Sequence, residues 1–191
     1  IQPYSPAAGT GLSSHEINQP GCYRLVKDLS VFALFRVVDQ KKIIDVNLPV
    51  FFVAWTTTPW TLFANTGLAV GEKIKYVFVE TINPYTLEGV VLICAEDCLG
   101  GLFDGKTKKT ILGAKKNFEG YYRVVGSCFG VDLIGVKYDQ ILKHVQPLEL
   151  KSRAFRVVGA NFVNTDGGTG VVHLAPTFGA DDFLVAKKNN L

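Results

Sequence analysis

The sequence predicts a β-rich α+β domain, a closed or nearly closed β-barrel decorated by a few short helices. Three observations carry this expectation. The strongest local signals are short runs of β-branched and aromatic residues, and glycines punctuate nearly every junction between them. Helical signals are few and short. Regular strand–helix alternation is missing, which argues against a doubly wound parallel sheet. A chain of 191 residues with 48% hydrophobic and 19% charged residues has the length and composition of one globular domain.

Taken in order, residues 1–22 are rich in Pro, Gly and Ser and are expected to form an extended lead-in, with the domain proper over 23–191. Ser13 and Glu16 have the spacing of a capping box over one helical turn, and a plain surface loop fits them equally well. Strands are expected over 31–38, 48–55, 74–80, 90–94, 121–129, 154–163 and 170–174. In 74–80, Ile, Tyr and Phe alternate with Lys, Val and Val, which suits a strand with one wetter face. Helices are expected over 95–102, 139–144 and 181–189.

Composition also narrows the function classes. The net charge of +3 permits a polyanionic partner, but no basic block argues for one. No stretch approaches the roughly 20 apolar residues of a membrane span, and no signal peptide is visible. The chain lacks Met and opens at Ile1 in a turn-rich stretch, which predicts a piece of a longer protein. Of Cys22, Cys94, Cys98 and Cys128, only the middle two are close in sequence, so free thiols in a reducing cytoplasm are expected.

Some motif matches are set aside. Gly100, Gly105, Lys106 and Thr107 fit the P-loop expression, but residues 95–99 separate the preceding strand from the loop and Gly113 weakens any following helix. No Ser stands in a nucleophile elbow, and no His or thiol pair has ligand spacing, so neither a Ser-His-Asp triad nor catalytic zinc is expected.

Two segments stand out. The first is Trp55-Thr56-Thr57-Thr58-Pro59-Trp60-Thr61-Leu62, followed by Asn65. Three threonines at a strand end place hydroxyls on both faces, and Pro59 stops the ladder. The plain alternative, a β-edge in which Thr serves propensity alone, is slightly favoured by residue chemistry; two flanking tryptophans pull the other way. The second is Gly167-Gly168-Thr169-Gly170-Val171-Val172-His173-Leu174-Ala175-Pro176, then Gly179-Ala180-Asp181-Asp182-Phe183. Its glycines allow a tight bend into a strand that ends at His173. The two acids open a helix, where the dipole favours them in any case; the functional alternative is that one points into a cleft and binds a cation.

Together these peptides resemble the editing domain inserted into class I aminoacyl-tRNA synthetases for isoleucine, valine and leucine. The resemblance runs through nearly the whole chain. Tyr4-Ser5-Pro6 is similar to the family's entry strand, and residues 71–80 to its next strand. The valine and leucine enzymes usually carry a T-T-R-P-E-T form of the first peptide. Here the form is Thr57-Thr58-Pro59-Trp60-Thr61, without Arg or Glu, and His173 stands in the second peptide. Both features are similar to the isoleucyl subtype. Residues 138–148 depart from the usual form, in which Pro follows the acidic residue.

The resemblance implies hydrolysis of the ester joining a wrong amino acid, valine, to the 3′ end of isoleucine tRNA. Asp182, Thr57 and Thr58 are the implied catalytic residues. Asp182 would hold the substrate ammonium, and the threonines the ester and the water. Trp55, Thr56, Asn65 and His173 are the implied substrate-binding residues, with His173 walling the side-chain pocket. No metal and no cofactor are expected in this domain; ATP and magnesium belong to the synthetic part of a parent enzyme. The expected partners are the tRNA and the rest of that synthetase, with a monomeric isolated domain and no membrane. Two rival readings remain: an editing domain of the valyl or leucyl enzyme, and a non-catalytic barrel that binds RNA or protein. The second predicts interleaved basic and aromatic residues on exposed strands, and no convincing stripe of that kind is present.

Overall fold

The computed structural model describes residues 2–103, 122–144, 147 and 153–191. The lead-in forms a small hairpin of β1 (Tyr4–Ser5) and β2 (Thr10–Gly11), then helix α1 (Ser14–Ile17). The expected capping box is present: Ser13 Oγ accepts from Glu16 N, and Glu16 Oε2 accepts from Ser13 N at 2.7 Å.

Among the described residues the main body contains two sheets. The larger comprises β3 (Val31–Arg36), β4 (Val50–Thr56), β6 (Lys75–Ile82), β7 (Gly89–Ala95) and β8 (Tyr122–Phe129), in the order β3-β4-β7-β6-β8. Only the β4–β7 pair is parallel. The smaller sheet has β5 (Gly67–Val70) at its centre, antiparallel to β10 (Val171–Leu174) and parallel to β9 (Arg156–Gly159). Helix α2 (Leu99–Leu102) follows β7 through a 3-10 turn, α3 (Gly130–Leu133) follows β8, and α4 (Ala180–Asn189) closes the described chain.

The main core lies between the sheets. Phe35, Phe52, Tyr76, Phe78 and Ile93 of the larger sheet meet Leu68, Val70, Val157 and Val171 of the smaller. On the larger sheet's other face, Val53, Val77, Val79 and Leu92 are covered by Leu99, Leu102 and Phe103. The expected wetter face of β6 is therefore buried too, since alternate residues of the strand feed different cores. On the smaller sheet's outer face, Ala69, Val158 and Leu174 pack under Val185 of α4 and Leu191 just beyond it.

The expected barrel is not closed. Among the described residues the two ladders are separate, joined where Val37 bridges Tyr138 and Lys137 bridges Arg156. The break begins where β4 meets Pro59, which has no amide to donate, and a 3-10 turn over Pro59–Ala64 carries the chain into the other sheet at β5. The helix expected over 139–144 is absent. Asp139 N instead donates to Arg36 O at 2.8 Å, drawing this segment against the β3 edge. The strand expected over 154–163 is only β9, and β5 went unpredicted. The P-loop-like Gly105, Lys106 and Thr107 lie outside the described residues.

Candidate functional site

The Thr peptide forms a compact turn at the end of β4. Thr56 is buried, and its Oγ1 accepts from Thr58 N at 3.1 Å and lies 3.3 Å from Thr58 Oγ1. This side-chain turn caps the strand where the ladder stops. Thr57 and Thr58 are exposed. Pro59 then occupies the first turn of the 3-10 segment, its fixed φ suited to that position. Thr61, buried one turn later, donates its backbone N–H to Thr58 O at 3.0 Å and its hydroxyl to the same oxygen at 2.8 Å.

Thr61 Oγ1 also lies 3.0 Å from His173 Nε2. A threonine hydroxyl has one proton, and here it points to Thr58 O. Oγ1 therefore accepts from His173, which fixes the Nε2–H tautomer and leaves the lone pair on Nδ1. His173 is 8% exposed, and Nδ1 is buried without a hydrogen-bond partner among the described residues. Burial pushes its pKa below the usual histidine value, and the nearby Asp182 carboxylate opposes the shift. The imidazole is thus neutral and oriented at neutral pH.

Asp182 sits in the first turn of α4, where Gly179 is the N-cap. Its Oδ2 accepts from Ala175 N at 2.8 Å, so the carboxylate folds back onto the residue just past β10. Gly179 makes room for this: a Cβ there would stand 2.8 Å from Asp182 Cγ. Asp181 is exposed.

Trp55 is 40% exposed and pairs across the ladder with Phe32. It lies over the bend leading into β10, where a Cβ on Gly168 would meet its Cε3 at 3.5 Å. That bend is tied to the larger sheet by Ala95 N donating to Thr169 O at 2.8 Å and by Tyr76 Oη donating to Gly170 O at 2.6 Å. Gly170 has φ +71° with Ala95 Cβ pressed against it, so a glycine is required on both counts.

The two sequence segments therefore meet. Thr56 is bonded to Thr58, Thr58 to Thr61, Thr61 to His173, and Asp182 sits beside His173. Asn65 is placed differently from its neighbours. It is 3% exposed, its Nδ2 donates to Gly67 O at 2.9 Å, and its Oδ1 accepts from Tyr138 Oη at 2.7 Å. Its amide binds the protein's own groups. Sequence reasoning gave no role to Thr61 or Tyr138. The T-T-T-P-W-T repeat of hydroxyls was a signal for Thr61, whereas no local pattern marked Tyr138. Among the described residues no group of three His, Cys, Asp or Glu is placed to hold a metal ion. No described helix is long and apolar enough to cross a membrane.

Comparison with known proteins bears on this arrangement. The chain is 51% identical over 189 residues to an isoleucine–tRNA ligase of Cytophaga hutchinsonii, covering 98% of this chain and 16% of that one. It is 47% identical over 194 residues to an isoleucine–tRNA ligase of Porphyromonas gingivalis, covering 100% of this chain and 17% of that one. The chain thus spans only about a sixth of the length of these curated relatives. No family model matches it. Among solved structures, GlLeuRS-CP1 superposes with a TM-score of 0.58 at 18% identity, covering 85% of this chain and 65% of that one. The editing domain of the P. knowlesi cytosolic leucyl-tRNA synthetase gives 0.58 at 14% identity, covering 81% and 60%. These similarities at low identity concern the fold.

Proposed function

Because this chain belongs to the isoleucine–tRNA ligase family as the counterpart of one segment, and has the fold of a synthetase editing domain, we propose that it hydrolyses valine mischarged on isoleucine tRNA. The observation that carries this reading is the 3.0 Å contact between Thr61 and His173, which closes the Thr peptide and the His-Asp peptide around one site.

The need for such a site is physical. A pocket made for isoleucine rejects valine weakly, because one methylene is worth only about 1–3 kcal/mol; the isoleucyl enzyme is itself the worked example of that rule. A second, smaller pocket admits the valyl ester and excludes the isoleucyl one. His173 supplies the wall. Its ring cannot turn freely, since Thr61 holds Nε2, so the pocket has a fixed dimension. Asp182 receives the substrate ammonium; with Oδ2 anchored on Ala175 N, its remaining acceptor directions are set in advance. Trp55, Thr56, Thr57 and Thr58 hold the terminal adenosine, the ester and the water.

The reaction balances without a cofactor. Water adds to the ester carbonyl carbon, the bond from that carbon to the ribose oxygen breaks, and the ribose oxygen takes a proton. Valine and uncharged tRNA leave. No protein general base is assigned; Thr57, Thr58 and the substrate's own hydroxyl orient the water. Partners are the aminoacylated 3′ end of the tRNA and the rest of a synthetase. A deacylation assay with valyl-, isoleucyl- and threonyl-tRNA tests the reading. Hydrolysis of the valyl ester with the isoleucyl ester spared is expected, and inertness toward all three would end it.

A further inference from the structure

We infer that Tyr138 is a positioning residue for this site, acting through Asn65; the inference rests on the hydrolytic reading above.

Tyr138 stands where the two sheets are joined. It bridges Val37 at the β3 edge, while its neighbour Lys137 bridges Arg156 of β9. Its ring meets Phe35 edge-on at 5.3 Å and Phe155 at 6.1 Å, and its hydroxyl donates to Asn65 Oδ1 at 2.7 Å. Burial raises the phenol pKa well above 10, so this donor keeps its proton throughout the working pH range.

Asn65 stands at the branch point between the two site peptides. Its backbone N–H donates to Leu62 O at 3.2 Å, beside Thr61, and its side chain donates to Gly67 O at the start of β5. The next residue, Thr66, donates its N–H to Leu174 O at 3.0 Å, beside His173. One short segment, residues 65–67, thus sets the separation of the Thr peptide from the His173 strand, and the Tyr138 hydroxyl pins its side chain. A second observation supports this. Phe155 adopts φ +59°, unusual for an aromatic residue, and is held there by donating to Thr66 O at 2.7 Å while its own carbonyl accepts from Tyr138 N at 3.0 Å. Backbone in an unfavourable conformation is retained at the same junction.

The test is Tyr138→Phe, which keeps the ring packing and removes only the hydroxyl. It is assayed on valyl-tRNA well below the variant's unfolding midpoint. A kcat reduced about tenfold to a hundredfold, with KM within about twofold of wild type, is expected for a misaligned but occupied site. Adding Asn65→Ala should cost no further kcat beyond Asn65→Ala alone, because both changes cut one path. Wild-type kcat in a folded Tyr138→Phe chain overturns the inference, as do strictly additive losses in the double variant. A wild-type chain inert toward every aminoacyl-tRNA ends the functional reading instead, and this inference with it.

Discussion

Thr61 and His173, 112 positions apart, share a 3.0 Å hydrogen bond that decides which imidazole nitrogen carries the proton. Thr61→Val keeps the branched shape and removes the hydroxyl. It leaves the buried His173 Nε2–H without an acceptor. A loss of about 1–3 kcal/mol is expected for an unsatisfied buried donor. Urea unfolding checks it, and an unchanged midpoint would show that the bond contributes nothing to the fold.

His173 also makes stability depend on pH in one direction. Its pKa is lowered from 6.5, chiefly by burial, so the unfolded chain takes up this proton first as pH falls. The stabilising difference is present in full above about 6.5 and is lost as pH drops from there toward the folded value. The added proton has to enter at Nδ1, which is buried and unpartnered among the described residues. Urea midpoints should be level between about pH 7 and 8 and decline below that. His173→Gln should remove the His173 part of the slope. Asp182→Asn should depress the His173 titration further in an NMR titration, since the carboxylate is what opposes the shift.

How much of this was legible in the sequence follows from the range of each interaction. Both site peptides were readable because each is contiguous: the hydroxyl run ending at Pro59, and the glycine bend leading to His173 and Asp182. Strand β5 was missed because Gly67–Val70 is four residues long, buried throughout, and shows no alternation. The helix expected over 139–144 failed because tertiary pairing at Tyr138 and Asp139 outweighed a weak local pattern. Closure of the sheets was misjudged for a related reason. Strand pattern reports that strands exist, whereas the seam depends on isolated bridges between distant residues. Asn65 is bonded to Tyr138, 73 positions away, and no local signal marks that pair.

Asp182 and Asp181 provide a paired comparison within one helical turn. Asp182 accepts from Ala175 N, whereas Asp181 is exposed to solvent. Asp182→Ala should abolish deacylation of valyl-tRNA, and Asp181→Ala should leave most of it, because adjacent helical positions point about 100° apart. Gly179→Ala gives an independent check, since its Cβ would press on the Asp182 carboxylate at 2.8 Å and displace it without removing charge. If Asp182→Ala turns over normally, the ammonium-binding role is wrong.

His173→Ala separates a wall from a catalyst. The neutral imidazole is held by Thr61, and its remaining nitrogen is enclosed, so the proposed function gives the ring a steric role and not that of a proton donor. Truncation to Ala removes most of that wall. Isoleucine exceeds valine by one methylene, a volume the vacated space accommodates easily. The variant should therefore begin to hydrolyse correctly charged isoleucyl-tRNA while keeping activity on valyl-tRNA. The discrimination lost should correspond to about 1–3 kcal/mol, the worth of one methylene in a fitted pocket. Thr61→Val should move partly in the same direction, because an untethered ring no longer holds one orientation. Comparing kcat/KM for the two esters across wild type and both variants decides the matter. If His173→Ala loses valyl-tRNA hydrolysis and gains none toward isoleucyl-tRNA, His173 takes part in the chemistry or holds the fold, and the size filter lies elsewhere.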